Sequence, residues 1–291
     1  MGASSGGPIF LKSINSTGIV KDGNYVAKLF IKAIEDVDAK NIVQVISDNA
    51  SNMKLVSSIV EKTFPHIFWT PCVIHCLNLA LKSLCQPLDK STHFDNCKWI
   101  VQLISQASSL KNFVMNHDMA HAIFQKHSEL SLLKVAETRF ASHIIMISRI
   151  KIVKKSLEIM VMDDEWKNYK GDKKIEAKAR DIKSLVMDDG WWDTIAYFLK
   201  CTGPIVSILR SADLDCPQLH LIYDMWDTMI EMVKVIVFEH EQKDLIAGQF
   251  FFIPFMQFDT IYAILVARWN KSNTPLHSMA HSVVPKYYHE S

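Results

Sequence analysis

The stretch NIVQVISDNASN, Asn41 to Asn52, decides how the N-terminal part of this chain reads. Ile42, Val43, Val45 and Ile46 form a short β-branched run, the composition of a buried strand. The run stops at Ser47-Asp48. Asn49, Ser51 and Asn52 then offer helix N-cap chemistry, and Met53 to Phe64 reads as a helix. Asp48 therefore falls at the C-terminal end of a strand, facing the strand-to-helix crevice where ligands gather in open α/β sheets. A carboxylate there has two uses. It binds a divalent cation, or it caps the helix that follows.

The flanking sequence extends this pattern in both directions. Upstream, IFLKSIN with Ile9, Leu11 and Ile14 resembles a strand, after a Gly/Ser leader. Val26, Leu29, Phe30, Ala33, Ile34 and Val37 then share a helical stripe. Downstream, Ile67-Phe68-Trp69 is a short strand, and Pro71 suits a first helical turn. Ile74, Leu77, Leu81 and Leu84 keep helical spacing. The order strand, helix, strand, helix predicts a parallel pair of strands. Cys72 and His75, three apart, share a face near the start of the last helix. Structural zinc takes four ligands, and no second CxxC or HxxxH pair follows, so a packed Cys/His pair is the better reading.

Beyond Phe94 the chain reads as helices. Trp99, Ile100, Leu103, Ile104 and Leu110 belong to one, and Ile144, Ile145, Ile147, Ile150 and Val153 to another. Residues 162–190 are charged and read as an exposed helix with loops. Trp191 to Arg210 is apolar, with a break or kink expected at Gly203-Pro204. Leu219 to Phe238 is amphipathic, and Phe250 to Ala267 reads as a buried helix or helix pair. Pro254, Gln257 and Asp259 interrupt that last stretch, which argues against a membrane span. The final stretch, ARWNKSNTPLHSMAHSVVPKYYHES, reads as having no closing element.

At 291 residues, 49% hydrophobic and 22% charged, the chain can bury a large core. A net charge of +1 does not suggest a strongly basic surface and leaves room for a local basic groove. The basic clusters at Arg149, Lys151, Lys154, Lys155 and at Lys173, Lys174, Lys178, Arg180, Lys183 read as solvated helix faces. The opening MGASSGGP has no apolar signal core, so the six cysteines are expected as free thiols in a reducing compartment.

Five blocks of the sequence, in order, resemble the middle of hAT-type transposases, in particular a plant branch known as a domain of unknown function. They are GPIFLKSINSTGIVKDGNYV, NIVQVISDNASN, FPHIFWTPCVIHCLNLAL, ETRFASHIIMISRI and ARWNKSNTPLHSMAHSVVPKYY. The resemblance implies an α/β plus α fold: a partial RNase H-like α/β core over residues 8–85, a large all-α insertion domain over 86–267, and a truncated return segment toward the core over 268–291, after a disordered leader over 1–7. In the family a D-D-E set of carboxylates holds two divalent cations, Mg²⁺ in intact members, for phosphodiester chemistry. Asp48 matches the second carboxylate and would be the metal-binding, catalytic position. Cys72 and His75 match the CxxH motif beside the core. Arg139 and Phe140 match an Arg-aromatic DNA-binding motif whose ring stacks on an unstacked base. Phe140 stands where many members carry Trp.

On the same comparison, the first catalytic Asp would lie upstream of GPIFLKSIN and the Glu beyond PKYY, together with the C-terminal dimerisation segment. One carboxylate does not hold two metals. The expectation is a non-catalytic, transposase-derived protein with no cofactor of its own and a vestigial Asp48. It would keep DNA- or protein-binding surfaces, have no membrane association and, by resemblance, reside in the nucleus. A truncated gene model of an active DNA transposase and a protein-interaction module without DNA binding are the alternatives.

Overall fold

The computed structural model describes residues 1–4, 6–89, 91, 93–133, 141–168, 172–212, 218–247, 258–285 and 288, without the side chains of 241–247. The described residues are mostly helical, with four short strands, all before residue 72. They divide into two units. One comprises residues 1–79, 207–230 and 265–291, the other residues 80–206 and 231–264.

The first unit opens with a hairpin of β1 (Gly2–Ser4) and β2 (Gly7–Ile9). The leader expected to be disordered takes part in this pairing, and Gly7, at the start of β2, has a φ of 101° that favours glycine. IFLKSIN corrects differently: only Ile9 of it is in a strand. Phe10, Leu11 and Ile14 are exposed, since apolar residues alone make no strand without a partner edge. Helix α1 (Gly23–Val37) starts where the Asp22 carboxylate accepts from the Tyr25 N–H at 2.7 Å.

A strand and a helix follow where expected, as β3 (Gln44–Ser47) and α2 (Ser51–Thr63), then β4 (Phe68–Pro71) and α3 (Val73–Cys85). Val43 and Ile46 are exposed, however, so β3 is not the buried strand its β-branched run suggested. β3 and β4 run parallel, with Ser47 opposite Pro71. Pro71 ends the strand and does not open the helix; the Phe68 and Cys72 N–H groups face β3, so position 71 faces away from it and its missing N–H costs the ladder nothing. The core under this pair is Ala27 and Ile34 from α1, Val56 and Val60 from α2, then Ile67 and Trp69. Phe30 meets the Trp69 ring edge-on at 5.1 Å.

The second unit is helical. It contains α4 (Phe94–Asn116), α5 (Asp118–His127), α6 (Ala141–Ile152), α7 (Lys154–Met162), α8 (Asp164–Lys167) and α9 (Lys173–Val186). α4 buries Ile100, Leu103, Ala107, Leu110 and Val114, a spacing of three and four. The charged segment at 162–190 is less exposed than its composition suggests. Trp166 on α8 is buried, with its ring edge on Phe113 at 5.8 Å. One bulky ring anchors a stretch that is otherwise polar.

α10 (Asp189–Ala212) runs through Pro204 as one helix, so of the break or kink expected there the break does not occur. Packing holds it: Phe198, Cys201 and Ile205 are buried around the proline. α11 (Ile222–Ala247) and α12 (Phe258–Ser272) follow. The chain also has a last helix that was not expected, α13 (Pro275–Ser282). Its start signal is TPLH: Pro275 opens the first turn, and Nδ1 of His277 accepts from the Thr274 N–H at 3.2 Å. No described helix is long and apolar enough to cross a membrane.

His277 is buried, and burial pushes its pKa below the ordinary 6.5. The unfolded chain therefore takes up this proton first as pH falls. The stability that neutral His277 contributes is present above about pH 6.5 and is lost as pH falls toward the folded pKa. We expect the melting temperature to drop between pH 7.5 and 5.0, and to drop less in His277→Gln, by paired thermal melts. An equal drop in both proteins would remove His277 as the cause.

Candidate functional site

The parallel pairing of β3 and β4 brings two of the sequence-predicted residues to one end of the sheet. Since Ser47 lies opposite Pro71, Asp48 and Cys72 both follow at the strands' C-terminal ends. The Cys72 N–H donates to the Ser47 carbonyl at 2.6 Å, one step past the ladder. His75 sits in the first turn of α3, and both Cys72 and His75 are half-buried. The Asp48 side chain is exposed.

The turn after Asp48 differs from the expected cap. Ala50 is the N-cap of α2, in extended conformation, and makes no side-chain cap bond. Asp48 Oδ1 instead accepts from the Ala50 N–H at 3.3 Å, which shapes the turn ahead of the helix. Asn49 precedes the cap, and Ser51 and Asn52 lie inside the helix, because α2 starts at Ser51, two residues before the expected Met53. Asn49 has another partner: its Nδ2 donates to the Lys271 carbonyl at 3.0 Å, at the last turn of α12.

α12 also reaches the CxxH segment. Cys76 is buried, and burial pushes its thiol pKa up, opposed by the Ser272 hydroxyl and the Arg268 charge. The thiols of Cys85, Cys97 and Cys201 are pushed up to about 12, 11 and 12 by burial, so they are inert packing groups. Beside Asp48 lies a cavity of about 270 Å³ lined by Asn49, Ser51, Lys54, Leu79, Arg268 and Lys271. Lys54, Arg268 and Lys271 were not among the residues the sequence singled out. Arg268 and Lys271 carry no spacing signal that ties them to Asp48, over 200 positions away.

Among the described residues no group of three His, Cys, Asp or Glu side chains is placed to hold a metal ion. Mg²⁺ needs several oxygen ligands in near-octahedral geometry, and Asp48 supplies one carboxylate. The described residues therefore do not fit the two-metal arrangement of the resembled family, and no metal-borne step is assigned to them. Arg139 and Phe140 lie outside the described residues. Of the cluster Lys173, Lys174, Lys178, Arg180 and Lys183 on α9, the first four are exposed and Lys183 is half-buried.

The second unit holds a larger cavity, about 580 Å³, lined in part by Asp193, Tyr197, Lys200, Glu239 and His240. Its rings stack on one another, Tyr197 on His240 at 3.8 Å and on Trp99 at 5.9 Å. Lys200 and Glu239 pair at 3.0 Å across its wall. Two of its charges, Lys200 and Glu239, and both of its rings, Tyr197 and His240, are thus engaged with each other.

Residues 1–110 match the family model described as a domain of unknown function (DUF659). The matched segment contains Asp48, Cys72 and His75. No curated protein and no solved structure matches the chain.

Proposed function

We propose that this chain, whose residues 1–110 match DUF659, is a hAT-transposase-derived protein that binds DNA and by itself does not cleave it. Its first unit would be built on an RNase H-like core, and it would act in the nucleus. The observation that carries this reading is the juxtaposition at the sheet end. Asp48 and the Cys72-x-x-His75 segment, in separate sequence blocks, meet at the C-terminal ends of two parallel strands. That is where an α/β enzyme keeps its chemistry. Asp48 is then a vestige of a metal-binding position, and its present contact is to the Ala50 N–H.

The purified chain with Mg²⁺ or Mn²⁺ and labelled nicked or hairpin DNA is expected to give no cleavage product. DNA binding is expected to weaken with salt. Replacing Phe140 by Ala should weaken it about 5- to 150-fold, the range for one lost base–aromatic stack of about 1–3 kcal/mol. Cleavage that disappears in Asp48→Ala would overturn the non-catalytic part. Binding no better than an inert control of the same charge would overturn the DNA part.

A protein-interaction module is the second reading. The net charge of +1 favours it, because a dedicated DNA-binding domain is usually basic.

A further inference from the structure

We infer that the cavity beside Asp48 is a phosphate-binding site. Two elements distant in sequence converge on it: the first turns of α2, through Ser51 and Lys54, and the end of α12, through Arg268 and Lys271. Three of its six lining residues are cationic and none is acidic. Lys54 and Lys271 are exposed, and no ion pair among the described residues uses either.

The helix start adds donors of another kind. Ala50 gives α2 no side-chain cap; the Met53 N–H donates back to the Ala50 carbonyl at 3.0 Å, which leaves the Ser51 and Asn52 N–H groups for an outside acceptor. They stand at the positive end of a 13-residue helix. Asp48, the acidic neighbour, directs Oδ1 to the Ala50 N–H and does not line the cavity. The bond from Asn49 Nδ2 to the Lys271 carbonyl fixes the α12 end to the β3–α2 turn. This holds the two cation-bearing elements in register without a ligand.

The cationic side chains, the Ser51 hydroxyl, the Asn49 amide and uncapped amides suit a tetrahedral oxyanion. They do not suit an apolar or cationic ligand. A free phosphate and a phosphodiester present the same oxygens. That the phosphate comes from a nucleic-acid strand rests on the function proposed above, whereas the phosphate site itself does not.

The test compares the parent chain with K54Q/K271Q and with K62Q, which removes one charge at the far end of α2. In one arm, phosphate replaces chloride at constant ionic strength during thermal melting. The parent and K62Q should melt higher, and K54Q/K271Q should not respond. In the other arm, labelled single-stranded and duplex DNA are titrated at 50–200 mM salt. The slope of log K against log salt should become shallower by about 1–2 in K54Q/K271Q and change less in K62Q.

Where DNA binds, the slope decides: unchanged in K54Q/K271Q, it overturns the phosphate site and leaves the nucleic-acid reading intact. Where DNA does not bind, melting decides. A phosphate response lost in K54Q/K271Q supports the site and removes the nucleic-acid source, and no such response overturns the site as well.

Discussion

Val60→Asp is expected to cost more than about 4 kcal/mol at pH 7, enough to unfold the α/β unit or nearly so. Val60 is fully buried on α2, among Ala27, Ile34, Val56, Ile67 and Trp69. A carboxylate at that position loses its water and meets no partner in that apolar cluster. Val60→Ala removes only methyl groups and should cost about 2 kcal/mol. The two substitutions therefore separate charge from volume.

The pH dependence gives a second check. Burial raises the pKa of the introduced aspartate in the folded state above its unfolded value. The folded state then binds the proton more readily, so the destabilisation is largest above the raised pKa and shrinks as pH falls through it. Urea unfolding of both variants at pH 4.5 and 7 would measure this. A Val60→Asp chain as stable at pH 7 as Val60→Ala would show that α2 is not held by this core. Because α2 carries Ser51 and Lys54, the loss should extend to the proposed phosphate response.

Phe198→Ala should destabilise the helical unit by about 3–5 kcal/mol. The ring is fully buried on α10 and meets Trp99 of α4 edge-on, 6.3 Å between centroids at 87°. Truncation leaves a cavity between rings that cannot collapse into it, since the Trp99 indole is also stacked on Tyr197. Phe238 on α11 is the control. It is 42% exposed, with the Phe258 ring at 5.6 Å, and Phe238→Ala should cost no more than about 1.5 kcal/mol. Thermal melting of the two variants beside the parent would rank them, and equal losses would contradict the packing described for Phe198.

Much of the fold was legible in the sequence because it is set locally. The β-branched run at 42–46 and the stripe from Val26 to Val37 specify element type through periodicity alone. Their boundaries shifted where tertiary partners intervene: β3 begins at Gln44 and α2 at Ser51. IFLKSIN misled for the same reason in reverse, as its composition suits a strand and its surroundings give it no edge. The C-terminal helix was missed although TPLH carried a start signal, because His277 fills the place that Glu or Gln occupies in a usual capping box.

The candidate site divides along the same line. By itself the sequence determined that Asp48 ends a strand and that Cys72 and His75 share the start of a helix, since both follow from patterns within a few residues. Only the tertiary structure decided that Asp48 and Cys72 stand side by side, that Asp48 serves the turn and not the helix cap, and that Arg268 and Lys271 face Lys54 across a cavity. The physical reason is separation. Strand register and the docking of α12 on the β3–α2 turn are long-range contacts, chosen by burial of the whole unit and by single bonds such as Asn49 to Lys271, which no local window of residues encodes.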